Sequence, residues 1–333
     1  MKTFVIAEIG VNHNGSILLA KKMIRAAKAS GASAVKFQSF VTDDLVTNKI
    51  KLANYQKKKS KEKRMITFLK KYELSKQNQI HLFNYCKKLK IEFMSSAFDN
   101  ESLNFLTSKL KVKRIKIPSG ELTNLPLLIN IAKKNRLTYL STGMSNPNEI
   151  SQAIGILRKY GLSKENIILL HCNSAYPTPV NDANLRSILF LKNKFNLKLG
   201  YSDHTLGIEA AIAAVALGAL VIEKHFTLDK KLKGPDHLSS LTPKEFKKMV
   251  QSISNIEKGL GTYDKVISKS EKENIKFSRK SIVAKKKIIK GEKFRVTNIT
   301  TKRPGNGISP LNWFKVLNRK AIKNFKKDDL IKI

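Results

Sequence analysis

The chain has 333 residues, 41% of them hydrophobic, and its 64 Lys plus Arg against 25 Asp plus Glu give a formal net charge of +39. Sixteen Gly and nine Pro exclude a collagen-like or Pro/Gly-rich disordered chain, and the length admits one large domain or two ordinary ones. Such a charge points to nucleic acid or an anionic surface, but only ten basic residues are Arg and the lysines spread over the whole length, so a solvated Lys-rich face is preferred to a polyanion-binding protein.

In chain order, short β-rich runs predict strands near 3–9, 34–38, 91–95, 113–117, 137–141, 167–171, 197–201 and 219–223. Helical patterns lie between them, near 16–29, 75–89, 101–109, 126–134, 147–159, 183–193 and 208–217. A last helix is predicted near 243–258, where Thr242-Pro243 is a good start. Eight strands alternating with eight helices predict an α/β chain folded as a (β/α)8 TIM barrel, with a doubly wound open sheet as the alternative. Segment 46–71 reads as a basic, partly helical insertion after the second strand. The barrel is predicted to occupy residues 1–260, followed by a polar linker at 261–278. Residues 279–333, with short strands and Gly/Pro turns, predict a small β-rich domain that relies on docking.

Two cysteines, Cys86 and Cys172, are too far apart in sequence to suggest a disulfide framework. The N-terminal apolar run carries Glu8 and shows no cleavage pattern, and no apolar stretch reaches the roughly 18 residues of a membrane helix. The expectation is a reduced, cytoplasmic protein with no membrane and no specific nucleic-acid partner.

The predicted strand ends carry the unusual polar residues. Strand one runs into Glu8, Asn12, His13 and Asn14; strand two carries Lys36 and Gln38; strand three ends in Ser95 and Ser96. Strand four brings Lys116, Ser119 and Glu121, and strand five Ser141, Thr142 and Gly143. Strands six to eight lead to His171, Ser174 and Tyr176, then Ser202 and His204, then Glu223 and His225. Barrel active sites lie at that end. His204 and His225 on adjacent strands suit a divalent metal, the alternative being two rim histidines held by hydrogen bonds. Lys36 and Lys116 point inward, where an unpaired ammonium is costly, so each needs an anion. That anion is a bound phosphate or carboxylate, or else Glu8, Glu121 or Glu223. Hydroxyls of Ser96, Ser119, Ser141 and Ser202 complete an anion cradle. One metal with such a pocket suggests phosphate-ester chemistry on a carbonyl partner.

These residues also carry a resemblance. AEIGVNHNG, VKFQSF, KIPSGELTNLP, LSTGM, HCNSAYPTP, GYSDHT, EKHFT and GPDH, in this order, resemble the sialic acid synthase family. VAKKKIIKGEKF and TTKRPGNGIS resemble its antifreeze-like (SAF) C-terminal domain. The resemblance implies a transferase that condenses phosphoenolpyruvate with an N-acylated amino sugar. Within the family, KFQSF, the Tyr55-Gln56 region and IPSGELTNLP lean towards legionaminic acid synthases, with N-acetylneuraminate and pseudaminate synthases as alternatives. It implies Mn²⁺, with Mg²⁺ or Co²⁺ as substitutes, at His204 and His225. It implies phosphoenolpyruvate contacts at Lys36, Ser96, Lys116, Ser119, Ser141, Ser174 and Ser202. Sugar contacts are implied at Gln38, Glu121, Tyr176 and Asp236, with Glu121, Lys116 and Lys36 as the catalytic set. The implied assembly is a domain-swapped homodimer that places Arg303 over the partner's site. Asn14 stands where some neuraminate synthases carry Glu, so no catalytic role is assigned to it. Ser96-Ala97 replaces a common Thr-Pro.

Overall fold

A computed structural model describes residues 2–47, 49–50, 62 and 64–333. Tyr55 and Gln56 lie outside the described residues, as does half of the expected insertion. Its described part includes a short helix, Met65–Lys70, and a helical turn, Thr42–Leu45, precedes it.

Eight parallel strands close into a barrel in sequence order. They are β1 Phe4–Gly10, β2 Ala34–Ser39, β3 Glu92–Ala97, β4 Arg114–Ile117, β5 Leu137–Ser141, β6 Ile167–Cys172, β7 Lys198–Asp203 and β8 Val221–His225. β8 pairs back onto β1 with Glu8 opposite His225, which excludes the open-sheet alternative.

The helices are α1 Ile17–Ala29, α2 Lys76–Lys88, α3 Leu125–Lys133, α4 Pro147–Lys159, α5 Ser187–Phe195, α6 Glu209–Ala216 and α7 Pro243–Leu260. Local chemistry starts them. In α1 the Ser16 side chain accepts from Leu19 N–H, and Ala20, Met23, Ile24 and Ala27 form one buried face. Asn146 with Glu149, and Thr242 with Glu245, form reciprocal caps ahead of a proline in the first turn of α4 and α7. The helix expected at 101–109 is different in kind. It is a five-residue helix, Asn100–Asn104, running into a π-helical turn, Phe105–Lys109.

Two-residue periodicity sorts the barrel interior by height. Ile6, Met94, Tyr139, Leu170 and Val221 belong to an apolar cluster inside the barrel. Two residues further along the same strands come Glu8, Ser96, Ser141, Cys172 and Glu223, so the polar layer sits directly above an apolar plug. Gly200 is where strands crowd most: a Cβ there would approach within 2.6 Å of the Val221 carbonyl oxygen.

The chain divides into two units, Met1–Gly261 and Thr262–Ile333. The segment expected as a polar linker belongs to the second unit and contains helix α8, Lys269–Ser278. The reason is a reciprocal cap of Ser268 with Glu271. The second unit also pairs β9 Ser281–Ala284 antiparallel with β10 Ile299–Lys302 over a core that includes Ile282, Ile288, Phe294 and Phe325. Cys86 and Cys172 are free and buried, and among the described residues no helix is long and apolar enough to cross a membrane.

Candidate active site

The strand C-terminal ends surround a cavity of about 370 Å³. It brings together Lys36, Gln38, Ser96, Lys116, Ser119, Ser141, Ser174, Tyr176, Ser202, His204 and His225. Glu121 and Asp236 do not line it. Glu121 stands on the turn Ser119–Glu121, and its carboxylate turns aside to accept from Asn124 Nδ2 at 2.6 Å, where Asn124 caps α3. Asp236 is half-buried on the loop after β8, and Arg303 is an exposed residue of the second unit.

The two lysines already have anions. Lys36 Nζ lies 2.8 Å from Glu8 and 3.7 Å from Glu223, and Lys116 Nζ lies 2.7 Å from Glu223. Both partners face inward from β1 and β8 at the height of the lysines; Glu121 takes no part. Of the two explanations left open by the sequence, internal pairing is therefore present in the structure. Ser96 Oγ accepts from Lys36 Nζ at 3.1 Å, and Ser202 Oγ donates to Glu223 at 2.9 Å.

Neighbouring charges divide the two carboxylates, since burial acts upward on both. Burial raises Glu8 to about 7, against the pull of Lys36 and with Glu223 adding to the rise. Glu223 is equally buried, yet Lys116 and Lys36 together hold it down to about 2. Burial acts downward on both lysines. Glu223 and Glu8 outweigh it at Lys36, which is raised, while Lys116 is lowered, with Lys36 adding to the fall.

The hydroxyl cradle depends on one glycine. Gly143 N–H donates to Ser119 Oγ at 3.0 Å, and a Cβ on Gly143 would collide with Ser174 Oγ and come within 2.8 Å of Ser119 Oγ. Tyr176 forms a wall over the histidines, with ring centroids 4.1 Å from His204 and 5.6 Å from His225.

The histidine pair fits a divalent cation. His204 Nδ1–H donates to the Asn173 carbonyl at 2.6 Å, which leaves Nε2 as the nitrogen that could ligate. His225 Nδ1 is buried with no hydrogen-bond partner, and the two ring centroids are 5.4 Å apart. Burial, then neighbouring positive charge, holds His225 well below its usual value, as a ligand requires; at His204 burial acts downward but Cys172 and the Asn173 carbonyl outweigh it and raise the group, so a cation there would displace a proton. Among the described residues no three His, Cys, Asp or Glu side chains cluster as a metal site, so water and substrate oxygens would complete the shell.

Other parts of the site were not anticipated from sequence. Cys172 lines the cavity with its Sγ 3.8 Å from His204 Nδ1. Its signal was inward parity with Leu170 on β6. Phe98 and Met144 also line the cavity. Lys224 was missed entirely: fully buried, it donates to Asp203 at 2.7 Å and to the Thr205 carbonyl at 2.6 Å. That ion pair ties the ends of β7 and β8, next to His204 and His225 in sequence.

A match to the NeuB family spans residues 23–265, and a SAF-domain match spans residues 279–333. The chain belongs to the NeuB, or sialic acid synthase, family. It is 50% identical over 332 residues to the N,N'-diacetyllegionaminic acid synthase of Campylobacter jejuni, covering 99% of each chain. It is 46% identical to the protein of that name from Legionella pneumophila, covering 93% of this chain and 88% of the other. A solved N-acetylneuraminic acid synthetase from Leptospira borgpetersenii, in complex with citrate, superposes with a TM-score of 0.74 at 36% identity. That match covers 83% of this chain and 90% of the other.

Proposed function

We propose that the chain condenses phosphoenolpyruvate with the open-chain form of an N-acylated amino sugar. Water is consumed, phosphate is released, and a nine-carbon 2-keto acid is formed. The favoured sugar is 2,4-diacetamido-2,4,6-trideoxymannose, giving N,N'-diacetyllegionaminate. One observation carries the reaction class: in a member of this family, two buried lysines and the hydroxyls of Ser96, Ser119, Ser141, Ser174 and Ser202 converge on a single cavity beside a histidine pair. The choice of sugar rests on the 50% identity to the Campylobacter synthase over nearly the whole chain.

Lys36 and Lys116 hold the phosphate and carboxylate of phosphoenolpyruvate, while the serine hydroxyls donate to its oxygens. Incoming oxygens share these ammonium groups with Glu8 and Glu223, so the cavity is ordered before substrate arrives. The sugar enters along the Tyr176 wall, and Gln38, Glu121 and Asp236 orient its hydroxyl and amide groups. A divalent ion held by His204 and His225, Mn²⁺ first and Mg²⁺ or Co²⁺ as substitutes, would supply Lewis-acid polarisation of the aldehyde. C3 of phosphoenolpyruvate, held near that carbon, forms the new C–C bond. Positive charge at C2 takes up water, and the tetrahedral adduct expels phosphate with C–O cleavage. Fixed lysine charges stabilise the departing phosphate without reorganisation.

The same proposal includes a cytoplasmic homodimer in which Arg303 of one protomer reaches the other protomer's site. The oxygen label tests the reaction. Phosphoenolpyruvate carrying ¹⁸O at its bridging position should give labelled phosphate in step with sugar consumption. Label retained in the keto acid would refute C–O cleavage, and no phosphate release with any amino-hexose, metal present, would refute the reaction class.

A further inference from the structure

The β8–α7 loop carries Asp236, and two asparagines on the β1–α1 loop hold it from both sides. Asn12 Nδ2 donates to the Phe226 carbonyl at 3.0 Å and to Ser240 Oγ at 2.9 Å; Ser240 Oγ in turn donates to the Asp236 carbonyl at 2.6 Å. On the other side, Asn14 Nδ2 donates to the Lys233 carbonyl at 2.8 Å. Asn14 Oδ1 faces His237 Nε2 at 3.4 Å, and the other ring nitrogen of His237 lies 2.7 Å from Thr227 Oγ1 at the end of β8. Asp236 thus has Asn14 contacts on both flanks, at Lys233 and at His237.

The fit is close. Gly234 passes between Asn14 and His237, where a Cβ would come within 2.9 Å of Asn14 Oδ1 and 2.7 Å of the His237 ring. On the far side of Asn14, a Cβ on Gly15 would approach the Lys71 carbonyl oxygen to 2.6 Å. Asn14 itself adopts φ +50°, a left-handed conformation that asparagine tolerates better than glutamate. Its side chain must also donate to one partner and face another with an acceptor. An ionised carboxylate is acceptor-only and would set its second oxygen against the Lys233 carbonyl.

We propose that Asn14 is a positioning residue for the sugar: it anchors the Lys233–His237 segment and thereby fixes Asp236. The inference rests on the reading of Asp236 as a sugar contact. It assigns a specificity-bearing role to the position where this chain departs from the Glu-bearing string.

The test uses Asn14→Asp, which keeps size and left-handed tolerance while removing the donor. Asn14→Gly, which keeps the backbone and removes the whole side chain, serves as a second variant. Amide hydrogen exchange over residues 231–240 is measured in the full chain without substrates, and kcat and KM are measured for each substrate. Both variants should exchange faster in that segment while the barrel strands keep their protection. kcat/KM for the amino sugar should fall about tenfold, with KM for phosphoenolpyruvate within about twofold of the parent. Exchange equal to the parent's would overturn the tether. Faster exchange with equal losses for both substrates, or with no kinetic loss, would overturn the positioning role. A parent protein that releases no phosphate with any amino sugar would instead refute the synthase reading, because the exchange result does not depend on activity.

Discussion

Glu223→Gln removes one charge from a buried ionic cluster in the barrel. The carboxylate serves Lys116 at 2.7 Å, Ser202 at 2.9 Å and, more distantly, Lys36 at 3.7 Å. With glutamine in its place, two buried ammonium groups share Glu8 alone. Breaking a buried pair by removing one partner costs about 3–5 kcal/mol, and the amide oxygen, still an acceptor, puts this case near the lower limit of about 3 kcal/mol. For a unit of this size each kcal/mol moves the melting point by roughly 2–4 °C, so a fall of roughly 6–12 °C at neutral pH is expected. The pH profile carries a second signature. Glu223 is depressed from 4.5 to about 2, so its contribution is present above pH 4.5 and is lost as pH falls towards 2. Glu8 is raised from 4.5 to about 7, so the native state binds the extra proton there and stability declines as pH rises from 4.5 towards 7. In Glu223→Gln the acid limb should lose the Glu223 share, and the decline towards pH 7 should shrink because Glu223 no longer raises Glu8. Calorimetry from pH 3 to 8, with and without phosphoenolpyruvate, measures both, and the dianion should raise the variant's melting point more than the parent's. A variant melting within about 1 °C of the parent with an unchanged acid limb would refute the pairing argument.

Three further outcomes follow from the proposed function. His204→Ala should lose bound divalent metal and activity while keeping the parent's circular dichroism; metal stoichiometry equal to the parent's would sink the assignment. Gly143→Ala should raise KM for phosphoenolpyruvate at least about tenfold, because the new methyl occupies space between Ser119 and Ser174; an unchanged KM would place the phosphoenolpyruvate elsewhere. Arg303→Ala should reduce sugar use more than phosphoenolpyruvate binding, measured by separate KM titrations; equal losses would contradict the cross-protomer role.

Eight strand patterns alternating with eight helical ones made the barrel legible in the sequence, and polar residues at successive strand ends pointed to its site. What stayed open was which of the candidate carboxylates pairs with each lysine. Lys116 and Glu223 are 107 residues apart, and only barrel closure sets them 2.7 Å from each other. Glu121 reads as a site residue in the sequence, but its carboxylate accepts from Asn124 Nδ2 and is not among the cavity's lining. Lys224 had no reading in the sequence, because only the fold sets it against Asp203. The helix in the expected linker was readable in principle, since Ser268 and Glu271 have capping-box spacing, but its polar composition masked it. The net charge of +39 now has a narrower meaning: at the cavity, Glu8 and Glu223 offset Lys36 and Lys116.

The most direct measurement compares phosphate release from phosphoenolpyruvate with two sugars, N-acetylmannosamine and 2,4-diacetamido-2,4,6-trideoxymannose, at matched metal and enzyme. The account expects release with both a metal and a sugar present, and a higher kcat/KM for the diacetamido sugar. Preference for N-acetylmannosamine would contradict the assigned substrate, and release with neither sugar would contradict the central claim.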